Sequence, residues 1–386
     1  MKRCCKKVSI TNLGLITAAV IECLNPSKKR KRRDTIYIFR GYLAGVSKGR
    51  VIRHLRSKDE VFYDVCHRIA KDLQTDIING NLQLTIPKIR ERVDAGSGKT
   101  RKITILNIRH LLLDHVAVKG MDELVRRIGI TQVSSIKGRG AHYGKKFIEK
   151  WLRGNKPPKY AVKLDIKDFY GSIDKAVLHN WFTRRIKNPG LLWLIDSLVG
   201  VIEKGIPIGS FLSQTIANLY LSDVWHYAKE HLTYSRKSSS RYRADKTVHA
   251  VKHCLFYMDD MLFLGTNKRR LKSACKAIVA FIENTLRLKV KSDWQIHKIS
   301  VNHPIDIMGF RFSHNLTTLR KRVFRLARRS ILRAKRKVRS LKFCARLMSY
   351  KGYMDYTASK TVLYKLNAVK FFQKASNLIS AYAPAC

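Results

Sequence analysis

The chain has 386 residues, 45% of them hydrophobic, which suffices for a sizeable core and excludes a basic disordered tail. Lys and Arg number 78 against 27 Asp and Glu, giving a net charge of +51 and a pI near 10.4. Such an excess repels itself unless a polyanion compensates it, so nucleic acid is the expected partner; a membrane surface is the alternative, but no apolar run reaches spanning length.

At the N-terminus, Lys2, Arg3, Lys6 and Lys7 precede a mildly apolar stretch over 13–24. It resembles a signal peptide, but Thr17 and Glu22 interrupt it and no small-x-small cleavage site follows, so a short helix is expected. The rest of 1–59 reads as a basic, irregular extension. Its run of Lys and Arg over 28–33 suits a nuclear-import patch, an RNA-contacting loop or a solvated surface. None of the eight cysteines forms a CxxC pair and no HExxH occurs, which argues against a local zinc signature and fits reduced thiols in a cytoplasmic protein.

Val61, Val65, Ile69 and Leu73 follow helical spacing, and a second run continues to Ile89. The segment Gly96-Ser97-Gly98-Lys99-Thr100 ends like a P-loop, but the full pattern needs Gly at position 93, which is Val, so an ATPase is excluded. A glycine turn bearing Lys99, Arg101 and Lys102 remains, followed by a strand over 103–106. It is either a cationic loop able to grip a triphosphate or an ordinary basic hairpin. A helix is expected over 107–130, with Leu111, Leu112, Val116, Val118 and Leu124 inside. Over 134–144, three glycines stand among Lys137, Arg139 and His142, which suits close backbone contact with phosphates. A helix over 145–152 follows, and Pro157-Pro158 hands over to a strand over 160–166.

That strand contains Asp165 in an apolar setting, where a lone acid is costly. Helices are expected over 175–186 and 191–201, and a glycine-proline loop over 205–214 opens an apolar helix over 215–224. Residues 233–249 read as a polar insertion or flexible loop. Next, Asp259-Asp260 stands between two apolar runs, 254–258 and 261–264, which predicts a hairpin with two acids at its tip. Burying two like charges is unfavourable unless something neutralises them. A divalent cation is the usual answer, and Asp oxygens suit Mg²⁺; a solvated Asp-Asp turn is the alternative. Beyond it come an amphipathic helix over 271–286, strand-like pieces over 288–290 and 295–299, and a hairpin over 305–312. From Leu319 the chain reads as helical and very basic, with Arg320, Arg325, Arg328 and Arg329 interleaved with Val323, Leu326, Ile331 and Leu332. That pattern favours contact with a nucleic-acid backbone.

A two-metal nucleotidyl transfer site needs these parts. Three carboxylates hold two cations, one activating a primer 3′-hydroxyl and the other neutralising pyrophosphate, while basic side chains position the triphosphate. Their order closely resembles the reverse transcriptases over about residues 95–355. Tyr257-Met258-Asp259-Asp260 resembles the family's YxDD box, and Leu164-Asp165-Ile166-Lys167-Asp168-Phe169-Tyr170 its first palm motif.

The resemblance implies an α+β right-hand fold: fingers over 60–159, a palm of antiparallel sheet with packed helices over 160–315, and a helical thumb over 316–386. It implies RNA-directed DNA polymerase activity with two Mg²⁺, Mn²⁺ as a substitute, an RNA template, a DNA or RNA primer and dNTPs. The implied metal ligands are Asp165, Asp259, Asp260 and the Ile166 carbonyl. Lys291 matches the lysine that protonates pyrophosphate, and Tyr170 the gate against a ribose 2′-hydroxyl. Lys99 and Arg101 meet the triphosphate; Ile208, Gly209, Gln214, Tyr257 and Met258 line the nucleotide. Met308-Gly309 matches the primer grip. Lys137, Arg139, Arg325, Arg328 and Arg329 are the expected nucleic-acid contacts.

The loop before the palm helix usually reads QGxxxSP in retroviral, retron and group II intron enzymes; here it is IGxxxSQ over 208–214. This resembles reverse transcriptases of bacterial and phage diversity-generating retroelements, working with a small accessory protein. Related anti-phage defence enzymes, working with a structured noncoding RNA, share it in part. A catalytically idle RNA-binding scaffold is disfavoured by the presence of all three acids, and an RNA-dependent RNA polymerase by the bulk of Tyr170.

Overall fold

The structure, a computed structural model, describes residues 3–25, 33–93, 100–236, 246–336 and 340–381. Four helices come first: α1 (Leu13–Leu24), α2 (Arg33–Tyr42), α3 (Lys48–Ser57) and α4 (Glu60–Ile78). The described part of the first 59 residues, expected to be irregular, is therefore largely helical. Asn12 caps α1 by accepting from the Leu15 N–H at 2.9 Å. The helix buries Ile16, Ala19, Val20 and Leu24. In α3 only Val51 and Leu55, four residues apart, are buried, and the basic residues around them disguise the stripe.

The hairpin β1 (Lys88–Val93) and β2 (Thr100–Ile105) follows, while 79–87, expected to prolong the helical run, has no regular structure. The single helix expected over 107–130 is two, α5 (Ile108–Gly120) and α6 (Asp122–Val125). The chain turns at Met121, whose N–H closes α5 on Ala117. Helix α1 packs on both α4 and α5. Then come β3 (Gln132–Val133), α7 (Ala141–Arg153), β4 (Tyr160–Asp165), α8 (Phe169–Ser172), α9 (Lys175–Thr183), α10 (Pro189–Val199) and α11 (Phe211–His226). Part of the expected flexible loop is a hairpin, β5 (Thr233–Arg236) with β6 (Lys246–His249); residues 237–245 lie outside the described residues.

The C-terminal half runs β7 (His253–Tyr257), β8 (Asp260–Gly265), α12 (Lys268–Thr285), β9 (Ile296–Lys298), β10 (Ile305–Ile307), β11 (Phe310–Phe312) and β12 (Thr317–Leu319). Helices α13 (Lys321–Arg336), α14 (Leu341–Asp355), α15 (Lys360–Lys365) and α16 (Ala368–Ala381) close the chain. Leu319, expected to open the basic helix, instead ends β12, pairing with Phe310.

The central sheet has the order β3-β7-β8-β4-β9, antiparallel except for the β3–β7 pair. Strand alternation sends side chains to opposite faces. Val162, Leu164, Cys254, Phe256, Met261 and Phe263 join one core with α11, α12 and the N-terminal helices. Ala161, Leu255, Leu262 and Leu264 join a second core with α7, the β10–β12 sheet and the C-terminal helices. No helix among the described residues is long and apolar enough to cross a membrane.

Candidate active site

Three carboxylates meet at one end of the central sheet. Asp165 ends β4 and stands directly opposite Asp260, the first residue of β8. Asp260 also pairs with Tyr257 at the end of β7, so Met258 and Asp259 form a two-residue turn. Met258 has φ +56°, at a turn position that usually takes glycine. Holding a residue with a Cβ there costs about 1–2 kcal/mol, and the Asn218 side chain on α11 steadies it, with Nδ2 3.5 Å from the Met258 sulfur.

The electrostatics follow from that geometry. Burial pushes the Asp259 carboxyl up from the ordinary range, and the Asp165 charge pushes it further. Burial likewise raises Asp260, to about 6, against the pull of the Lys163 ammonium. Lys163 Nζ stands 2.9 Å from Asp260 Oδ1, yet that buried oxygen accepts no hydrogen bond of good geometry. Lys291 donates to Asp165 Oδ2, and this bond holds its own pKa above the usual lysine value. Two adjacent raised carboxyls and an orphaned buried oxygen are what a hard divalent cation would satisfy, so the residues fit one. Ile166, next to Asp165, is buried and forms an isolated bridge with Val290.

Around the acids the structure assembles several other expected residues. Tyr170 is pushed above the ordinary tyrosine range by burial, and then by the nearby Asp259 charge. Arg101, on β2, is close enough to oppose both of these shifts. Tyr170 anchors the 205–210 loop, its carbonyl accepting from Ile206 N–H at 2.9 Å. Gly205 has φ +73°, and a Cβ there would stand 2.3 Å from the Tyr170 oxygen, so only glycine fits. On its other side the loop joins β2: the Thr104 N–H donates to the Ile208 carbonyl at 2.8 Å. Gly209 and Gln214 line a cavity of about 280 Å³ with Ile108, Leu111, His115 and Phe211.

The Met308-Gly309 pair forms the turn between β10 and β11, with φ +56° and +84°. Gly309 accepts from the Arg320 N–H at 2.9 Å. Arg320 itself is committed, paired with Asp306 at 2.7 Å, so it does not belong with the free basic row of α13. That row is Arg325, Arg328 and Arg329, all exposed, opposite buried Val323, Ala327 and Ile331. Lys137 is exposed, whereas Arg139 turns inward and donates to the Gly129 carbonyl at 3.0 Å. Lys99 lies outside the described residues, as does the basic run over 28–32.

Sequence reasoning missed Lys163, although two residues before Asp165 on a strand means the same face. It missed Asn218, and also Asp114. The buried Asp114 carboxylate accepts from Ser210 Oγ at 2.7 Å and Phe211 N–H at 3.0 Å, fixing the start of α11 behind the loop. No local pattern marks Asp114, because its partners are 96 and 97 residues away.

An antiparallel sheet with acids at one end, packed helices on one face and a basic helical bundle beyond it is the palm arrangement of template-directed polymerases. The family model described as reverse transcriptase (RNA-dependent DNA polymerase) matches residues 86–312, and the chain belongs to that family. No curated protein matches the chain. Membership gives the right-hand polymerase fold and makes the chain a nucleotidyltransferase, an RNA-directed DNA polymerase, with an RNA template, a primer and nucleotides as substrates. Domains of this family work with divalent metal ions.

Proposed function

We propose that Asp165, Asp259 and Asp260 hold two Mg²⁺ ions, with the Ile166 carbonyl as a further ligand and Mn²⁺ as a substitute. When bound, the ions acidify the primer 3′-hydroxyl and neutralise the leaving pyrophosphate. The chain's own residues do the rest. Lys291, protonated at neutral pH beside Asp165, carries a proton within reach of the departing pyrophosphate. Arg101 and Lys99 meet the triphosphate from the 60–159 fingers. Tyr170 stays an uncharged phenol and limits space at the sugar. Ile208, Gly209, Gln214, Tyr257 and Met258 shape the nucleotide pocket of the 160–315 palm. Met308-Gly309 holds the primer end, and Lys137 and the basic face of the 316–386 thumb hold phosphates, whereas Arg139 is engaged with the Gly129 carbonyl.

The observation that carries this reading is the meeting of Asp165, Asp259 and Asp260 at one sheet end, with a buried Asp260 oxygen left without a hydrogen bond. The test is primer extension by an Asp259→Ala, Asp260→Ala protein. It should incorporate no dNTP yet bind RNA nearly as before; a variant that still extends a primer removes these acids from catalysis.

For the biological role we propose a diversity-generating retroelement, on the IGxxxSQ loop. The Ile208 side chain offers shape but no hydrogen bond, and its carbonyl is already taken by Thr104. Discrimination between correct and mismatched pairs is a difference in transition-state energy, and a missing polar contact narrows it by about 1 kcal/mol, roughly tenfold. Ile208→Gln should lower misincorporation on a defined RNA template, read by sequencing the products. Equal error rates for the two proteins at every template base make Ile208 a packing residue and remove this ground for a mutagenic role. Sequencing RNA that co-purifies with the protein separates the roles: a structured noncoding RNA points to a defence enzyme, and a repeat template to the retroelement.

A further inference from the structure

We propose a second nucleic-acid site: a lysine-lined groove between α12 and the 290–296 segment that takes the phosphodiester backbone of a single strand outside the primed duplex. It builds on the polymerase reading and shares only Lys291 with that site.

The groove has a volume of about 620 Å³ and is lined by Lys268, Lys272, Lys276, Lys291, Trp294 and Gln295, among others. Helix α12 buries Leu271, Ala274, Cys275, Ile278 and Ile282 against the sheet. That leaves Lys268, Lys272 and Lys276 exposed. Residues four apart on a helix are about 6 Å apart along its axis, so three ammonium groups form an evenly stepped row. Among the described residues none of the three has an ion-pair partner, and Glu283 is the one acid in the groove lining. Like charges at this spacing repel, so the row favours a polyanion with regularly spaced charges over a single small anion.

The side chains beside the lysines decide between strand and duplex. Trp294 is half-buried and contributes an aromatic surface, Gln295 an amide. Lysines along the backbone with an aromatic platform beside them are the recurring pattern of single-strand binding.

Position decides which strand. Lys291 is part of the lining and its ammonium reaches Asp165, so the groove comes close to the acids. Its helix α12 belongs to the core on one face of the sheet, whereas α13 with its arginine row belongs to the core on the other. The two cationic tracks therefore lie on opposite sides of the palm sheet. The duplex needs one of them, and the other suits the unpaired strand.

The experiment measures binding of labelled, unprimed 30-mers, oligo-U RNA and oligo-dT DNA in separate arms, across a salt series. It compares wild type with Lys268→Gln, Lys272→Gln, Lys276→Gln together, and runs primer extension on a short primed template alongside. Losing three backbone contacts should lower the slope of log K against log salt by about 2 on single strands, since each contributes about 0.7. Affinity at 0.1 M salt should fall at least tenfold, with extension on the short template unchanged. Equal losses for RNA and DNA support a backbone site for either strand, and a loss confined to RNA supports the template strand. An unchanged slope in both arms overturns the proposal and leaves the lysines to another partner, such as an acidic protein. Absence of extension in the wild type would count against the polymerase reading, while the slope would still report on the groove.

Discussion

Asp260→Asn should make the metal-free protein more stable at neutral pH while abolishing its activity. In the folded chain Asp260 is raised from 3.8 to about 6, chiefly by burial. A carboxyl whose folded pKa exceeds its unfolded value holds its proton more tightly in the native state. Its contribution is therefore most favourable below pH 3.8, falls as pH rises to about 6, and stays lost above that. About two pKa units correspond to about 3 kcal/mol at pH 7.5. The pull of Lys163 is already contained in that shift, so Asn, which cannot ionise, should gain about 2 kcal/mol once solvent screening of the partly exposed side chain is allowed for. The assay is urea unfolding of wild type and variant from pH 4 to pH 8 in chelator, taking the difference in stability at each pH. The difference should be small at pH 4, grow between pH 4 and 6, and plateau beyond. Added Mg²⁺ should raise the wild type more than the variant, because a ligand stabilises the state that binds it. A variant less stable than wild type at pH 7.5 in chelator, or a difference independent of pH, refutes the account of Asp260 as a carboxylate whose burial outweighs its pairing with Lys163.

Two further outcomes rest on different parts of the chain. Gly205→Ala would put a methyl 2.3 Å from the Tyr170 oxygen at a φ of +73°, so the loop must shift; dNTP KM should rise about tenfold or more with RNA affinity intact, read by steady-state extension. Replacing Arg325, Arg328 and Arg329 by Gln together should weaken binding of unrelated template–primer duplexes alike and reduce the salt slope by about 2–3, measured by titration at several salt concentrations.

What was legible in the sequence was whatever a local pattern encodes. Two acids between apolar runs can only be a hairpin tip, and that hairpin fixes Met258, Asp259 and Asp260. Apolar residues before Asp165 require a buried strand, and the strand lies beside β8 as its chemistry demands. Where local pattern fails, the sequence misleads. Leu319 looks like the start of a basic helix, but pairing with Phe310 of β11 makes it the end of a strand. Helix α3 carries so many basic residues that its short buried stripe of Val51 and Leu55 vanishes in the composition. Asp114 was invisible because its value lies in contacts to Ser210 and Phe211, far along the chain.

The position of the acids follows from how the two cores divide the sheet. Along β4, Val162 and Leu164 enter one core and Ala161 the other, so Lys163 and Asp165 share the face of Ala161. The same face carries the β10–β12 sheet, and Lys163 Nζ lies 3.4 Å from the Asp306 carbonyl there, as well as beside Asp260. Asp306 in turn pairs with Arg320 at the head of the basic helix α13. Asp260, Lys163, Asp306 and Arg320 thus form a continuous polar line from the candidate metal site, past the Met308-Gly309 turn, to the helix that carries the arginine row. Each link is an ion pair or a short polar approach at the edge of the second core, where packing limits how far any member can move. The like charges and the strained Met258 turn are held in place by rigid strands on both sides. Their unfavourable energy is stored where a divalent cation would release it.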